Sequence, residues 1–84
     1  MKNHEALSVR ILTPEGTLFE GAVEAVFLPG TMGAFEVLPG HAPLISTLGK
    51  GEVRWKGPEG EDGVAIKGGA VRVLSDNIEI CAEV

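Results

Sequence analysis

Residues 27–45 spell Leu-Pro-Gly twice, at 28–30 and 38–40, and follow the second copy with His41-Ala42-Pro43-Leu44-Ile45. Pro29, Pro39 and Pro43 each lack a backbone donor and clash with a preceding helical turn, while Gly30, Gly33 and Gly40 admit positive φ where the chain reverses. No helix can run through such a segment. The pattern predicts two rigid turns around one short strand.

Elsewhere apolar and polar residues alternate with a period of two, which sends successive side chains to opposite faces of a strand. Leu7, Val9 and Ile11 alternate with Ser8 and Arg10, and Val53 and Trp55 with Glu52, Arg54 and Lys56. Val64 and Ile66 flank Ala65, Val71 and Val73 flank Arg72, and Ile78 and Ile80 flank Glu79. Turn signals separate these runs: Thr13 to Gly16, Glu20-Gly21, Pro29-Gly30, Pro39-Gly40, Gly49 to Gly51 and Ser75 to Asn77. The stretch Gly57 to Gly63 reads as a long, acidic, solvated hairpin loop. An all-β fold follows: roughly eight to ten short strands in a flattened sandwich or barrel, a closure that limits exposed sheet edges. No linker or composition break divides the chain, so residues 1–84 form one expected domain.

A chain of 84 residues has a thin margin of stability, but its 44% apolar content is enough for a core without a disulfide scaffold. A single cysteine, Cys81, excludes an internal disulfide and offers no metal-ligand spacing. The net charge of −5 argues against nucleic acid or anionic lipid as a primary ligand, since both need a basic footprint. Residues 1–10 are too polar for the apolar stretch of a signal peptide. No run approaches the roughly 20 apolar residues of a membrane span, so membrane association is expected only through a partner.

Candidate chemistry is sparse. His41 draws attention as a base, yet a general base needs an orienting partner and a nucleophile or substrate in reach. The other histidine, His4, lies near the N-terminus, and no His/Cys/Asp cluster accompanies either. A turn-capping or interface role for His41 fits better. Lys67-Gly68-Gly69-Ala70 lacks the helix that a phosphate loop requires and is expected to be a tight turn or bulge where backbones approach closely. Cys81 has acidic neighbours at 79 and 83, which disfavour a thiolate, and is expected to be an inert filler. Trp55, Phe27 and Phe35 read as packing, with Phe35 the exception to watch. No catalytic, cofactor-binding or metal-binding constellation emerges. A lipoyl or biotinyl carrier domain is the alternative of similar size, but its modified lysine sits in an Asp-Lys-Ala or Met-Lys-Met context that is absent here, and Lys50 lies between Gly49 and Gly51. A small β-barrel enzyme lacks its base and nucleophile.

Five segments in order carry a resemblance: Val9 to Gly21 with its Phe19-Glu20-Gly21, the two Leu-Pro-Gly turns ending in His41-Ala42-Pro43-Leu44, Leu48 to Arg54, Lys67 to Val73, and Asn77 to Glu83. Together they resemble the N-terminal β domain of the ε subunit of F-type ATP synthases, named δ in mitochondria. The resemblance implies a ten-stranded flattened β-sandwich in the central rotor. It further implies a non-catalytic, cofactor-free subunit that binds γ, rests on the c-ring and meets the α/β catalytic head indirectly. Its expected place is the cytoplasmic face of the bacterial cell membrane, as a peripheral part of the complex that couples proton-driven rotation to ATP synthesis.

Residue by residue, the resemblance implies a γ-facing surface with Thr13, His41, Ser46 and Lys67, and a c-ring contact at Thr31, Met32, Gly33, Ala34, Phe35 and Glu36. This sequence departs from the family's Gly-Glu-Phe-Gly at 33–36, with alanine at 34 and the acid at 36. A displacement of two along a strand keeps the same face, so Glu36 replaces the missing acid if the segment is a strand, but not necessarily if it is a tight turn. Family members usually continue into a helical hairpin that inhibits hydrolysis and in some bacteria binds ATP. This sequence stops at Val84, so the expectation is a domain without that inhibition or ATP site.

Overall fold

A computed structural model describes residues 6–84 and contains nine strands and no helix among them. These are β1 (Leu7–Thr13), β2 (Gly16–Val23), β3 (Ala25–Leu28), β4 (Phe35–Val37), β5 (Leu44–Leu48), β6 (Gly51–Gly57), β7 (Gly60–Ile66), β8 (Gly68–Leu74) and β9 (Asn77–Glu83). They form a sandwich of two sheets, one of five strands in the order β2-β1-β9-β8-β5 and one of four in the order β4-β3-β6-β7. His4 lies outside the described residues.

The alternation decides which side of each strand is dry. Val9 and Ile11 of β1, Val71 and Val73 of β8, and Ile78 and Ile80 of β9 turn inward, to meet Val26, Val37, Val53 and Trp55 of the opposite sheet. Val9, Ile11, Val26, Val37, Val53 and Ile80 expose no surface at all. Phe19 and Trp55 stack with ring centroids 4.3 Å apart and tie the edge strand β2 to β6 of the other layer. Within the five-stranded sheet all pairings are antiparallel except β1 with β9. The outer face carries a row in register across four strands, Glu20, Arg10, Glu79 and Arg72. Glu79 pairs with both arginines, at 3.8 Å to Arg10 and 3.4 Å to Arg72.

Several expectations need correction. Glu20-Gly21 is not a turn: β2 runs straight through it, and the ring of Phe19 lies over the bare Gly21, where an added Cβ would stand 3.2 Å from the ring. Gly57 to Gly63 is not a long loop either. Only Pro58 and Glu59 turn, Gly60 takes a φ of 123°, and Glu61, Asp62 and Gly63 belong to β7. An edge strand tolerates such charges because one side of it is in water, and Glu61 there pairs with Arg54 at 2.9 Å. Cys81 is exposed on the outer face of β9 rather than filling space in the core, because Ile80 and Ala82 take the inward positions.

The close approach expected at Gly68-Gly69 is present. Gly69 has a φ of 155°, and a Cβ there would collide with the backbone carbonyl of Cys81 on β9. Phe35 packs against the core, as do Phe19, Leu44 and Val64 elsewhere around it. Phe27 instead lies on the outer side of its sheet under the guanidinium of Arg54, 5.2 Å from the ring centroid.

Candidate docking surfaces

The two Leu-Pro-Gly turns bracket β4, as the prolines and glycines require, yet neither rests on its own sheet alone. After Leu28 the chain passes alongside the end of β5 in the opposite sheet. There Gly49 N–H donates to Pro29 C=O at 2.8 Å, Thr31 N–H donates to Thr47 C=O at 3.1 Å, and Gly30 forms an isolated antiparallel bridge with Leu48. The hydroxyls of Thr31 and Thr47 also meet at 2.6 Å. Gly33 closes the turn by donating to Gly30 C=O at 3.0 Å, with its own φ at 132°. Beyond it the chain re-enters as β4, where Phe35 pairs with Leu28 and Glu36 with Phe27.

The second turn is fastened differently. His41 N–H donates to Leu38 C=O at 3.1 Å, and Gly40, at a φ of 87°, donates its N–H to the Asp76 carboxylate at 2.8 Å. Asp76 sits in the β8–β9 turn, where it and Ser75 hold φ values of 64° and 51°. Its carbonyl also accepts the N–H of Ser8 at 2.9 Å. The short β4 is thus suspended between two attachments to the five-stranded sheet, one at each end.

His41 turns its Nδ1 to the carbonyl of Ala42, at 2.7 Å, so the imidazole stiffens its own turn and is half-buried. Among the described residues no three His, Cys, Asp or Glu side chains lie close enough together to hold a metal ion.

The four residues expected to face γ are spread along the sandwich. Thr13, at the end of β1, accepts the Glu15 N–H and donates to Gly16 C=O, shaping its own turn. Lys67 lies between β7 and β8, its N–H bonded to Glu83 C=O at 2.7 Å. Thr13 and Lys67 share one end of the five-stranded sheet, where Thr13, Gly69 and Cys81 border a shallow apolar groove. Ser46 stands midway along β5, opposite Val71. His41 is at the far end, roughly 20 Å away at about 3.3 Å per strand residue.

Of the six residues expected to face the ring, Thr31, Met32, Gly33 and Ala34 form an exposed projection at the same end as Thr13 and Lys67, while Phe35 and Glu36 begin β4. Met32 is the tip of the projection, 98% exposed. Ala34 borders an open groove with Phe27, Glu52 and Arg54, and Glu36 lies across from Phe27. Both therefore stand on the outer side, with Phe35 turned inward between them.

Sequence reasoning missed Thr47 and Asp76, the two residues that fasten the turns. Their partners lie 16 and 36 positions away, and no local pattern records such pairings. It also missed Ile45, which points outward from β5 and is 78% exposed.

Comparison with known proteins agrees with this architecture. The sequence profile described as ATP synthase, Delta/Epsilon chain, beta-sandwich domain matches residues 6–84. An ATP synthase epsilon chain of Wolinella succinogenes is 40% identical over 80 residues, covering 94% of this chain and 61% of that relative. One of Endomicrobium trichonymphae is 37% identical over 75 residues, covering 89% and 54%. The chain thus spans between half and two thirds of the length of these relatives. Among solved structures, a chain of the Euglena gracilis mitochondrial ATP synthase superposes with a TM-score of 0.88 at 19% identity, over 98% of this chain and 53% of that one. A chain of the Tetrahymena thermophila mitochondrial ATP synthase central stalk and c-ring gives 0.77 at 13% identity, over 100% and 67%. At such identities the superpositions speak for the fold, and the sequence matches for descent: the chain belongs to the ATP synthase delta/epsilon family, as its β-sandwich domain.

Proposed function

We propose that this domain is a non-catalytic mounting piece of the rotor in a proton-translocating F-type ATP synthase, held between the γ subunit and the c-ring. It works by shape and stiffness, with no bond chemistry of its own. In this reading the 31–34 projection and the start of β4, Phe35 and Glu36, rest on the ring. The β5 side, with His41 and Ser46, together with Thr13 and Lys67, faces γ. The subunit then lies at the cytoplasmic face of the bacterial cell membrane and touches the membrane only through the complex.

One observation carries the proposal: the family match spans the described chain, and within it the segment from Pro29 to His41, which holds both Leu-Pro-Gly turns and β4, is fastened to the five-stranded sheet at both ends. Torque and position pass through a part only if that part does not flex, and each turn is held by directional bonds as well as by packing.

Co-purification with the γ subunit of the same organism tests it. Co-elution is expected, and Lys67→Glu or Ser46→Trp should weaken the complex; Lys67→Glu, at an exposed position, should leave the isolated fold intact. Failure of the native chain to hold γ would reject the function, and unchanged affinity in both variants would reject the assigned γ face.

A further inference from the structure

The projection at 31–34 has no packing of its own. Thr31, Met32, Gly33 and Ala34 are all exposed, and the segment is closed only by the bond from Gly33 N–H to Gly30 C=O. The hairpin that carries it, β3–β4, belongs to the four-stranded sheet. Apolar contact between the layers is non-directional and does not by itself specify where an exposed loop sits. The position of the projection is instead specified by bonds to the other layer: Thr31 N–H to Thr47 C=O, Gly49 N–H to Pro29 C=O, and the paired hydroxyls of Thr31 and Thr47. Of these, the hydroxyl pair is the only link made by side chains, and so the only one a substitution can remove without altering the backbone.

Thr47 immediately follows Ser46 on β5, the strand assigned to the γ-facing side. We propose that Thr31 and Thr47 are positioning residues, a clasp that fixes the ring-facing projection relative to the γ-facing strand so that movement of one surface is passed to the other. This rests on the rotor function proposed above. The clasp spans the two sheets at a point where the chain also passes close: a Cβ on Gly51 would stand 2.8 Å from the Pro29 ring. Pro29 is thus bonded to Gly49 and packed closely on Gly51, and the Thr31 N–H bond together with the threonine hydroxyls orients the residues after it.

The test uses ATP synthase assembled from the organism's own subunits in liposomes, with Thr31→Val, Thr47→Val, the double variant and Thr47→Ser. Valine keeps the shape and removes the hydroxyl; serine keeps the hydroxyl. Three quantities are read: amide exchange at Thr31 and Gly33, affinity for γ, and protons pumped per ATP hydrolysed. Each valine variant should speed exchange at Thr31 and Gly33 by roughly tenfold, the loss of about one net hydrogen bond. The double variant should do no more than either single one, as expected for one shared interaction. Affinity for γ should stay within about twofold while the pumping ratio falls, and serine should restore it; a purely structural role would not move the ratio at constant affinity.

Unchanged exchange in the valine variants would show that there is no clasp. Faster exchange with an unchanged pumping ratio would show that the clasp does not serve transmission. If the native chain itself neither binds γ nor restores coupling, the rotor function falls and takes this proposal with it, an outcome visible before any variant is made.

Discussion

The two Leu-Pro-Gly turns share a sequence and solve different problems. Gly30 has ordinary backbone but no room: a Cβ there would meet Gly33 C=O at 2.6 Å and the Phe35 ring at 2.8 Å. Gly40 has room on every side and needs its glycine for a φ of 87°. The first turn is tied down by backbone bonds and two hydroxyls, the second by one carboxylate. A repeated motif therefore does not imply a repeated job. The same three letters can be required by sterics at one site and by a backbone dihedral at the other.

Substitutions separate the two requirements. The largest loss is expected from Gly30→Ala, where overpacking costs about 1–3 kcal/mol. Thermal melting of that variant should show it, and a melt within a degree of the native one would mean that the turn yields freely. Gly40→Ala should cost about 1 kcal/mol through the left-handed backbone alone. Gly40→Asn should recover part of this, because asparagine tolerates that region, whereas Gly30→Asn should be no better than Gly30→Ala. An asparagine rescue at 30 and none at 40 would invert the comparison and break it.

Removing the carboxylate in Asp76→Ala is expected to cost about 1 kcal/mol and to speed amide exchange at Gly40 and His41 while leaving Thr31 unaffected. Equal acceleration at both turns would show that they are not independently fastened. The smallest effect belongs to Glu79→Gln on the outer face of the five-stranded sheet, which bonds to neither turn. Its partners Arg10 and Arg72 are at least half exposed, so the loss should stay below about 1 kcal/mol and shrink in high salt. A salt-independent loss larger than that would show that the charged row is tighter than its exposure indicates.

How far the sequence foretold this molecule depended on whether a residue's partner was near it along the chain. β1, β6, β8 and β9 were legible because each has one dry face, and alternation records that directly. β2 was not, since an edge strand open to water carries Thr17, Leu18 and Glu20 with little contrast between its sides. Gly57 to Gly63 was misjudged because glycine and acid clusters usually signal loops, and here an ion pair to Arg54 and an open edge let them stay in a strand. For the candidate surfaces, the two turns around β4 were legible from Pro29, Gly30, Pro39 and Gly40, while residues 31–36 were singled out only through the family resemblance. The fastening by Thr47 and Asp76 was not legible, because it is created only when the two sheets meet.

The placement of β9 governs when the domain can form at all. The last of the nine strands in chain order is inserted between β1 and β8, in the middle of the five-stranded sheet. Until Asn77–Glu83 is available, β1 with its hairpin partner β2, and β8 with β5, are separate fragments, while β3, β6 and β7 can already pair. Sequence-distant pairing of this kind slows folding and leaves strand edges open meanwhile. The Asp76 attachment of the second turn depends on the turn that delivers this strand, so the support beneath β4 becomes complete only with the final residues of the sheet.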